Sequence, residues 1–370
     1  MNKVLHILPM NKMSGAERMA LLMCKNLKSF EPIVVCGGDT LKKVFEDNRI
    51  KSYSVKFSNK KLLTVANELK KIIKENNIKI VHAHDNNASL SAYLTKRIFR
   101  LDIKVVSHIH NCYPFLKAGG INKGIDKIVR NKYDANVTCG KVVTDFYKDN
   151  TEYFKEDEVL TLSNAVDIDY ITKIDYDKCE EARKKYNIPK DKKILGFIGR
   201  LDEQKGLIPF IKEFAKYKDK FIDCKVLLVG NGSQQEEIRD LINKLNLTEL
   251  FILTGFQEDV YKFYPIIDIF FLPSVYEGLP MVLLEAMAFK KAVVSMNVGS
   301  ISEVINNETG VLVKKGDYSN FIKQLIVLKD KEKLIKDFSK KAYKLVEDKF
   351  NINNYINQVE NKYFELTKIS

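Results

Sequence analysis

The chain has 370 residues, 45% of them apolar and 29% charged, a balance that excludes an intrinsically disordered protein and favours two globular domains of ordinary size over one. No apolar run approaches the roughly 20 residues of a membrane span, and Val4–Leu8, stopped by Pro9, is too short for the apolar core of a signal peptide. Six scattered cysteines without a Cys-x-x-Cys pair argue against zinc and read as reduced structural thiols in a cytoplasmic protein, and the net charge of +13 points to an anionic partner.

In chain order, the first half alternates β-type and helical runs. Strands are predicted at Lys3–Leu8, Pro32–Cys36, Ser52–Val55, Lys79–Ala83, Lys104–Ser107 and Ala135–Thr138, and helices at Ala16–Leu27, Leu62–Asn76 and Ser89–Arg100. Such alternation predicts an α/β architecture, a parallel sheet wrapped by helices. Ser14-Gly15 falls between the first strand and first helix, with Glu17 in the opening turn. A small-residue turn at a helix amino terminus offers unpaired N–H groups to an anion. His82 and His84 follow one predicted strand, and His108 and His110 follow the next. Strand carboxyl ends are where ligands bind in open α/β sheets. No thiolate or well-placed acid completes a metal set around these histidines, so no metal is expected.

Positive charge concentrates in this half. Residues 1–170 hold 28 Lys+Arg against 19 Asp+Glu, whereas the remainder holds 33 against 29. Lys96–Lys132 alone carries nine basic residues and two acids. Such a stretch suits an anionic lipid surface or nucleic acid, although a solvated helix face produces the same composition.

A linker and a helix ending before Pro189 lead into a second alternating unit. Strand Lys193–Ile198 is closed by Gly199-Arg200-Leu201, and Lys205-Gly206 precedes a helix from Pro209. Arg200 and Lys205 at a strand-to-helix turn combine a planar fork with a mobile point charge, chemistry suited to a diphosphate, against the plainer reading of two surface cations. Lys225–Val229 with Gly230-Asn231-Gly232, and Phe251–Thr254 with Gly255-Phe256, give two more strands with glycine turns. Ile266–Leu272 is a short buried strand. After it, Gly278 supplies turn freedom, Pro280 starts a helix through Phe289, and two acids stand at different depths, Glu277 in the turn and Glu285 on the helix. Ala292–Ser295 and Gly310–Val313 complete the sheet, and a helical tail runs from Phe350. Asp167-Ile168-Asp169 forms an Asp-x-Asp, but in a connecting segment rather than after a strand of a nucleotide domain.

Ser274-Val275-Tyr276-Glu277-Gly278-Leu279-Pro280, with Glu285 eight positions past Glu277, resembles the donor-site signature of the retaining glycosyltransferases of family 4, which have the glycosyltransferase-B fold. Gly199-Arg200-Leu201 with Lys205-Gly206 resembles that family's second motif, and Leu162–Asp167 partly resembles its Pro-Asn-Gly-Val-Asp. Ser14-Gly15-Ala16-Glu17 is similar to its Gly-Gly-x-Glu, departing at the first glycine. The resemblance implies two facing Rossmann-like domains: an acceptor domain at 1–172, a nucleotide-sugar donor domain at 173–349, and a helix at 350–370 crossing back to the first domain. It further implies that Glu277 orients the donor sugar with the backbone of Gly278 and Leu279, and that Glu285 holds the ribose. Gly199, Arg200 and Lys205 would bind the diphosphate, Gly230, Gly232 and Phe256 the base and ribose, and Gly15 would line the donor site from the first domain. His110, followed by Asn111, aligns with the histidine that faces the sugar, with His108 as the alternate. His110, Glu277, Arg200 and Lys205 are thus the expected catalytic set.

The implied reaction moves a sugar with retention from a nucleoside-diphosphate sugar, expected to be a UDP-sugar, to a hydroxyl of a glycan or polyprenyl-diphosphate-linked glycan in surface-polysaccharide synthesis. No metal or other cofactor is implied. Lys117, Lys123, Lys127 and Arg130 are the expected acceptor-side and membrane-facing residues of an enzyme peripheral to the inner face of the cell membrane. A nucleotide-sugar epimerase of the same fold would use the donor without an acceptor. A nucleic-acid-binding protein would account for the charge, but the chain lacks a basic aromatic recognition motif.

Overall fold

The computed structural model describes residues 2–58 and 62–368. The chain forms two compact units: one runs to Ala165 and is rejoined by the segment from Ile352, and the other spans Val166–Asn351. Each is built on its own parallel sheet.

The first sheet contains β1 (Asn2–Leu8), β2 (Phe30–Cys36), β3 (Lys51–Ser54), β4 (Ile80–His84), β5 (Lys104–Ile109), β6 (Ala135–Thr138) and β7 (Val159–Thr161) in the spatial order 3-2-1-4-5-6-7. β2 is largely apolar and buried, as strands covered on both faces are, while the edge strand β3 and the histidine-bearing β4 and β5 carry polar residues. Leu5 and Ile7 pack with Val81 and Val105 on one side, while Leu8 packs with Val34 and Cys36 on the other. β7 has only three residues and one-sided pairing, too little pattern to read from sequence.

The second sheet contains β8 (Lys193–Ile198), β9 (Cys224–Val229), β10 (Phe251–Leu253), β11 (Ile269–Leu272), β12 (Ala292–Asn297) and β13 (Val311–Lys314) in the order 10-9-8-11-12-13. Its core is aromatic: Phe210 stacks on Phe271 at 4.6 Å and Phe214 on Phe221 at 4.4 Å.

Both sheets are doubly wound, and each strand order reverses beside its first strand. Ligands in such sheets bind outside the carboxyl ends of the strands at that switch point. The switch lies between β1 and β4 in the first unit and between β8 and β11 in the second. The final helix, Ile352–Lys368, belongs to the first unit, where Tyr363 and Phe364 meet Phe30. Asp167 of the Asp-x-Asp caps a short helix by accepting the Tyr170 N–H at 2.9 Å, a structural role. All six cysteines are free thiols. Among the described residues no helix is long and apolar enough to cross a membrane.

Candidate active site

At the switch point of the second unit, the turn after β8 meets the turn after β11. Lys205 donates to Glu277 at 2.6 Å, and the Ser274 hydroxyl donates to the same carboxylate oxygen at 2.6 Å. Backbone ties hold the two turns together: Val275 N–H donates to Gln204 O at 2.8 Å, and the Gln204 amide donates to Tyr276 O at 2.9 Å. Glu277 is buried, and Lys205 nearly so. Ser274 and Gln204 therefore belong to the site although neither was expected to. Ser274 opens the donor-site signature, so its signal was present in the sequence.

The glycines divide by what surrounds them. A Cβ on Gly230 would lie 2.0 Å from Gly199 O, and one on Gly232 would lie 2.3 Å from Leu201 O, so both let the β9 turn close onto the β8 turn. The freedom expected of Gly278 is needed instead at Gly299, where φ is +58° and a Cβ would lie 2.0 Å from Glu277 O. Gly278 and Gly15 have open space where a Cβ would stand. Gly278 O also accepts the Ser300 N–H at 3.1 Å, which fixes the loop behind Glu277. Leu279 is buried, whereas Phe256 is 70% exposed at the β10 turn.

Arg200 stands with its side chain 73% exposed, paired to Asp202 at 3.1 Å. Glu285 lies deeper than the sequence suggests. It is fully buried on the helix Met281–Ala288, and its oxygens accept from Tyr261 at 3.1 Å and Tyr264 at 2.6 Å. Any ribose contact must use lone pairs left beside those tyrosines. Neither tyrosine carries a motif that marks it in the sequence.

In the first unit the switch point has His84 and Asp85 at the end of β4 and His110 past β5, with His84 and His110 bonded at 2.9 Å, while Ser14 and Gly15 open the helix Gly15–Asn26 that follows β1. Glu17 folds back to accept from the Ser14 N–H at 3.1 Å and from its hydroxyl, which braces the turn in front of Gly15. Asp85 is a non-glycine residue at φ +72°, strain that persists where surrounding structure holds it. The Tyr113 hydroxyl donates to its carboxylate. His110 stands half-buried just past β5, whereas His108, one turn of the pleat earlier, is buried within the sheet face.

His82, His84 and His108 bring one nitrogen each to within 4.8 Å of the others. The rings of His82 and His84 stack at 4.8 Å with 12° between planes, so their in-plane lone pairs run side by side instead of converging. His82 Nε2 and His108 Nδ1 already bond to each other at 3.0 Å. As placed, the rings do not form a tetrahedral ligand set.

Arg130 is not membrane-facing. It is 0% exposed, and its guanidinium donates to Asp126, to Ser107 Oγ at 2.9 Å and to Asn86 Oδ1 at 2.7 Å. The sequence hid this because a basic residue on an amphipathic stretch normally faces water. Lys96 is likewise committed, donating to Asp134 at 2.7 Å. Lys117 and Lys127 are exposed and Lys123 partly so. Around them the helix Ile121–Val129 leaves Ile121 84%, Ile125 37% and Ile128 62% exposed. Arg130→Leu is expected to destabilise the protein by about 3–5 kcal/mol, because Asp126 is left a buried charge without its cation, keeping the Tyr153 hydroxyl at 2.9 Å. The shift in urea midpoint measures it, and pairing the change with Asp126→Leu should recover most of the loss.

Two doubly wound units, with a cation–carboxylate pair at the switch point of the second, define a protein of the glycosyltransferase-B class. Residues 178–345 match the family Glycosyl transferases group 1, and residues 13–170 match Glycosyltransferase Family 4. The chain belongs to these glycosyltransferases. It is 26% identical over 309 residues to N-acetyl-alpha-D-glucosaminyl L-malate synthase of Bacillus anthracis, covering 83% of this chain and 80% of that protein. It is 21% identical to the UDP-Gal:alpha-D-GlcNAc-diphosphoundecaprenol alpha-1,3-galactosyltransferase of Escherichia coli, covering 98% and 97%. Among solved structures, a glycosyltransferase from Rickettsia africae superposes with a TM-score of 0.87 at 24% identity, over 100% of this chain and 99% of that one. Anabaena HepE in complex with UDP superposes at 0.85 and 17% identity, over 99% and 100%.

Proposed function

We propose that this protein transfers a sugar, with retention and without a metal, from a UDP-sugar to a hydroxyl of a lipid-linked glycan in surface-polysaccharide synthesis. The observation that carries the reading is the buried Lys205–Glu277 pair at the switch point of the second sheet. Lys205 retains two N–H donors beyond its bond to Glu277, and the exposed Arg200 fork stands in the same turn. Together they supply the charge stabilisation that a departing diphosphate needs, the task a divalent ion performs elsewhere. As the anomeric carbon–oxygen bond breaks, the negative charge passes to the phosphate these cations hold. The acceptor hydroxyl forms the new bond on the same face, and its proton passes to the leaving phosphate. Glu277 orients the sugar, His110 contacts it near the reacting carbon, Phe256 offers an exposed ring to the base, and Glu285 meets the ribose. The HepE complex with UDP and the UDP-Gal-named relative support the choice of base.

The experiment is ligand-induced thermal shift with UDP, GDP and ADP, with and without EDTA, followed by transfer assays with UDP-sugars. UDP at a hundred times its dissociation constant should stabilise by about 2.7 kcal/mol, unchanged by EDTA. Glu285→Ala should weaken that shift. No shift with any nucleotide, or epimerised sugar without transfer, would overturn the reading.

The acceptor side is proposed to be peripheral to the cytoplasmic face of the cell membrane. Relatives named for undecaprenol-linked substrates support it, as does the helix Ile121–Val129, which pairs exposed isoleucines with lysines. Each basic residue near an anionic surface contributes about 1 kcal/mol. Replacing Lys117, Lys123 and Lys127 by Glu should therefore lower partition onto anionic vesicles at least a hundredfold. Equal binding by the variant would remove membrane docking from the proposal.

A further inference from the structure

The chain's five histidines, His6, His82, His84, His108 and His110, come together at the first sheet. His6 pairs in register with His82, and His84 with His108, so β1, β4 and β5 present these imidazoles on one face. Hydrogen bonds divide them into two strings. In one, His6 Nδ1 meets His84 Nε2 at 3.2 Å, and His84 Nδ1 meets His110 Nε2 at 2.9 Å. In the other, the Tyr363 hydroxyl meets His82 Nδ1 at 2.5 Å, and His82 Nε2 meets His108 Nδ1 at 3.0 Å. Only the first reaches the site.

A neutral imidazole carries one N–H and one lone pair. Every link of the first string must place a hydrogen on one of its two nitrogens, so the string has two arrangements: all N–H groups directed toward His110, or all directed away. The far end is His6 Nε2, buried with no hydrogen-bond partner among the described residues. An orphaned N–H in such a place is rarer in folded proteins than an under-used acceptor, which favours a lone pair at that end. The near end has the opposite surroundings. The carboxylates of Asp85 and Glu17 act on His110, and negative charge there favours an N–H. Both ends select the same direction.

We infer that His6 and His84 are positioning residues that lock His110 in its Nδ1–H tautomer. His110 then presents the sugar with a neutral hydrogen-bond donor and keeps no lone pair with which to act as a base. The donor role rests on the reading of His110 as a sugar contact, whereas the lock itself does not. It also accounts for the two histidines that stand behind His110 in the string: without them His110 would populate both tautomers, only one of which donates.

The test is long-range 1H–15N NMR of the full-length, 15N-histidine-labelled protein, in which the two ring nitrogens of a neutral imidazole differ in shift according to which carries the hydrogen. Wild type should show His110 protonated at Nδ1. His6→Leu removes the donor to His84 and should mix the two tautomers of His110, with a fall in kcat of up to about tenfold, the effect of one lost hydrogen bond. His6→Asn, whose amide N–H replaces the imidazole donor, should restore both readouts and also serves if the leucine variant folds poorly. Tyr363→Phe cuts the other string and should leave His110 unchanged. His110 protonated at Nε2 in wild type, or a tautomer indifferent to His6→Leu, overturns the inference. A lock that behaves as stated in a protein that transfers no sugar upholds the lock and overturns the transferase reading instead.

Discussion

Acidification from pH 7.5 to 5.5 is expected to remove about 5 kcal/mol of stability from the first unit and almost none from the second. Burial pushes the imidazoles of His6, His82, His84 and His108 down, His6 to about 3, and neighbouring imidazoles add to the effect in the other three. The folded unit therefore takes up no proton on these groups in this range, while the unfolded chain does so with an ordinary value near 6.5. The sign follows: the contribution is fully present above that value and is lost as pH falls below it. Each fully buried histidine loses about 1.4 kcal/mol over the two pH units, and four give the total. This is comparable with the whole stability of an ordinary domain. The second unit contains no histidine, so it serves as an internal reference. Hydrogen exchange of β1, β4 and β5 should accelerate steeply between pH 7.5 and 5.5 after correction for intrinsic rates, while β8, β9 and β11 stay protected. Equal protection in both units across that range would refute the prediction.

Replacing Lys205 by Met is expected to lower kcat/KM by roughly 100- to 1000-fold, the usual effect of removing one preorganised stabiliser of developing charge. The same change has a structural cost, because Glu277 remains buried and, among the described residues, keeps the Ser274 hydroxyl alone as a partner. About 3–5 kcal/mol is expected for such an uncompensated charge. A double variant separates the two effects. Lys205→Met with Glu277→Leu removes both charges and should regain most of the thermal stability while kcat/KM stays at least as low as in Lys205→Met alone. Recovery of activity together with stability would mean that the pair is structural and that the charge on the diphosphate is met elsewhere, with Arg200 the nearest alternative.

Much of this protein is legible without coordinates. Alternating apolar and helical runs predict parallel sheets because strands covered on both faces must be apolar throughout, and β1, β6 and β8 fall at or within a residue of their predicted ranges. Motif spacing brings Arg200 and Lys205 to one strand end and Glu277 to another, since a turn after a parallel strand has few places to go. What spacing does not carry is depth and partnership. Arg130 and Lys127 look alike in a basic stretch, yet the first is buried against Asp126 and the second faces solvent, a choice made by side chains from β5, β6 and the helix Asp85–Ile98. Glu285 reads as an open ribose ligand until Tyr261 and Tyr264 close over it. The histidines are visible in the sequence as two pairs and a distant fifth. Only strand order makes them neighbours, because parallel pairing of β1 with β4 and of β4 with β5 fixes which residues share a face and bond across it.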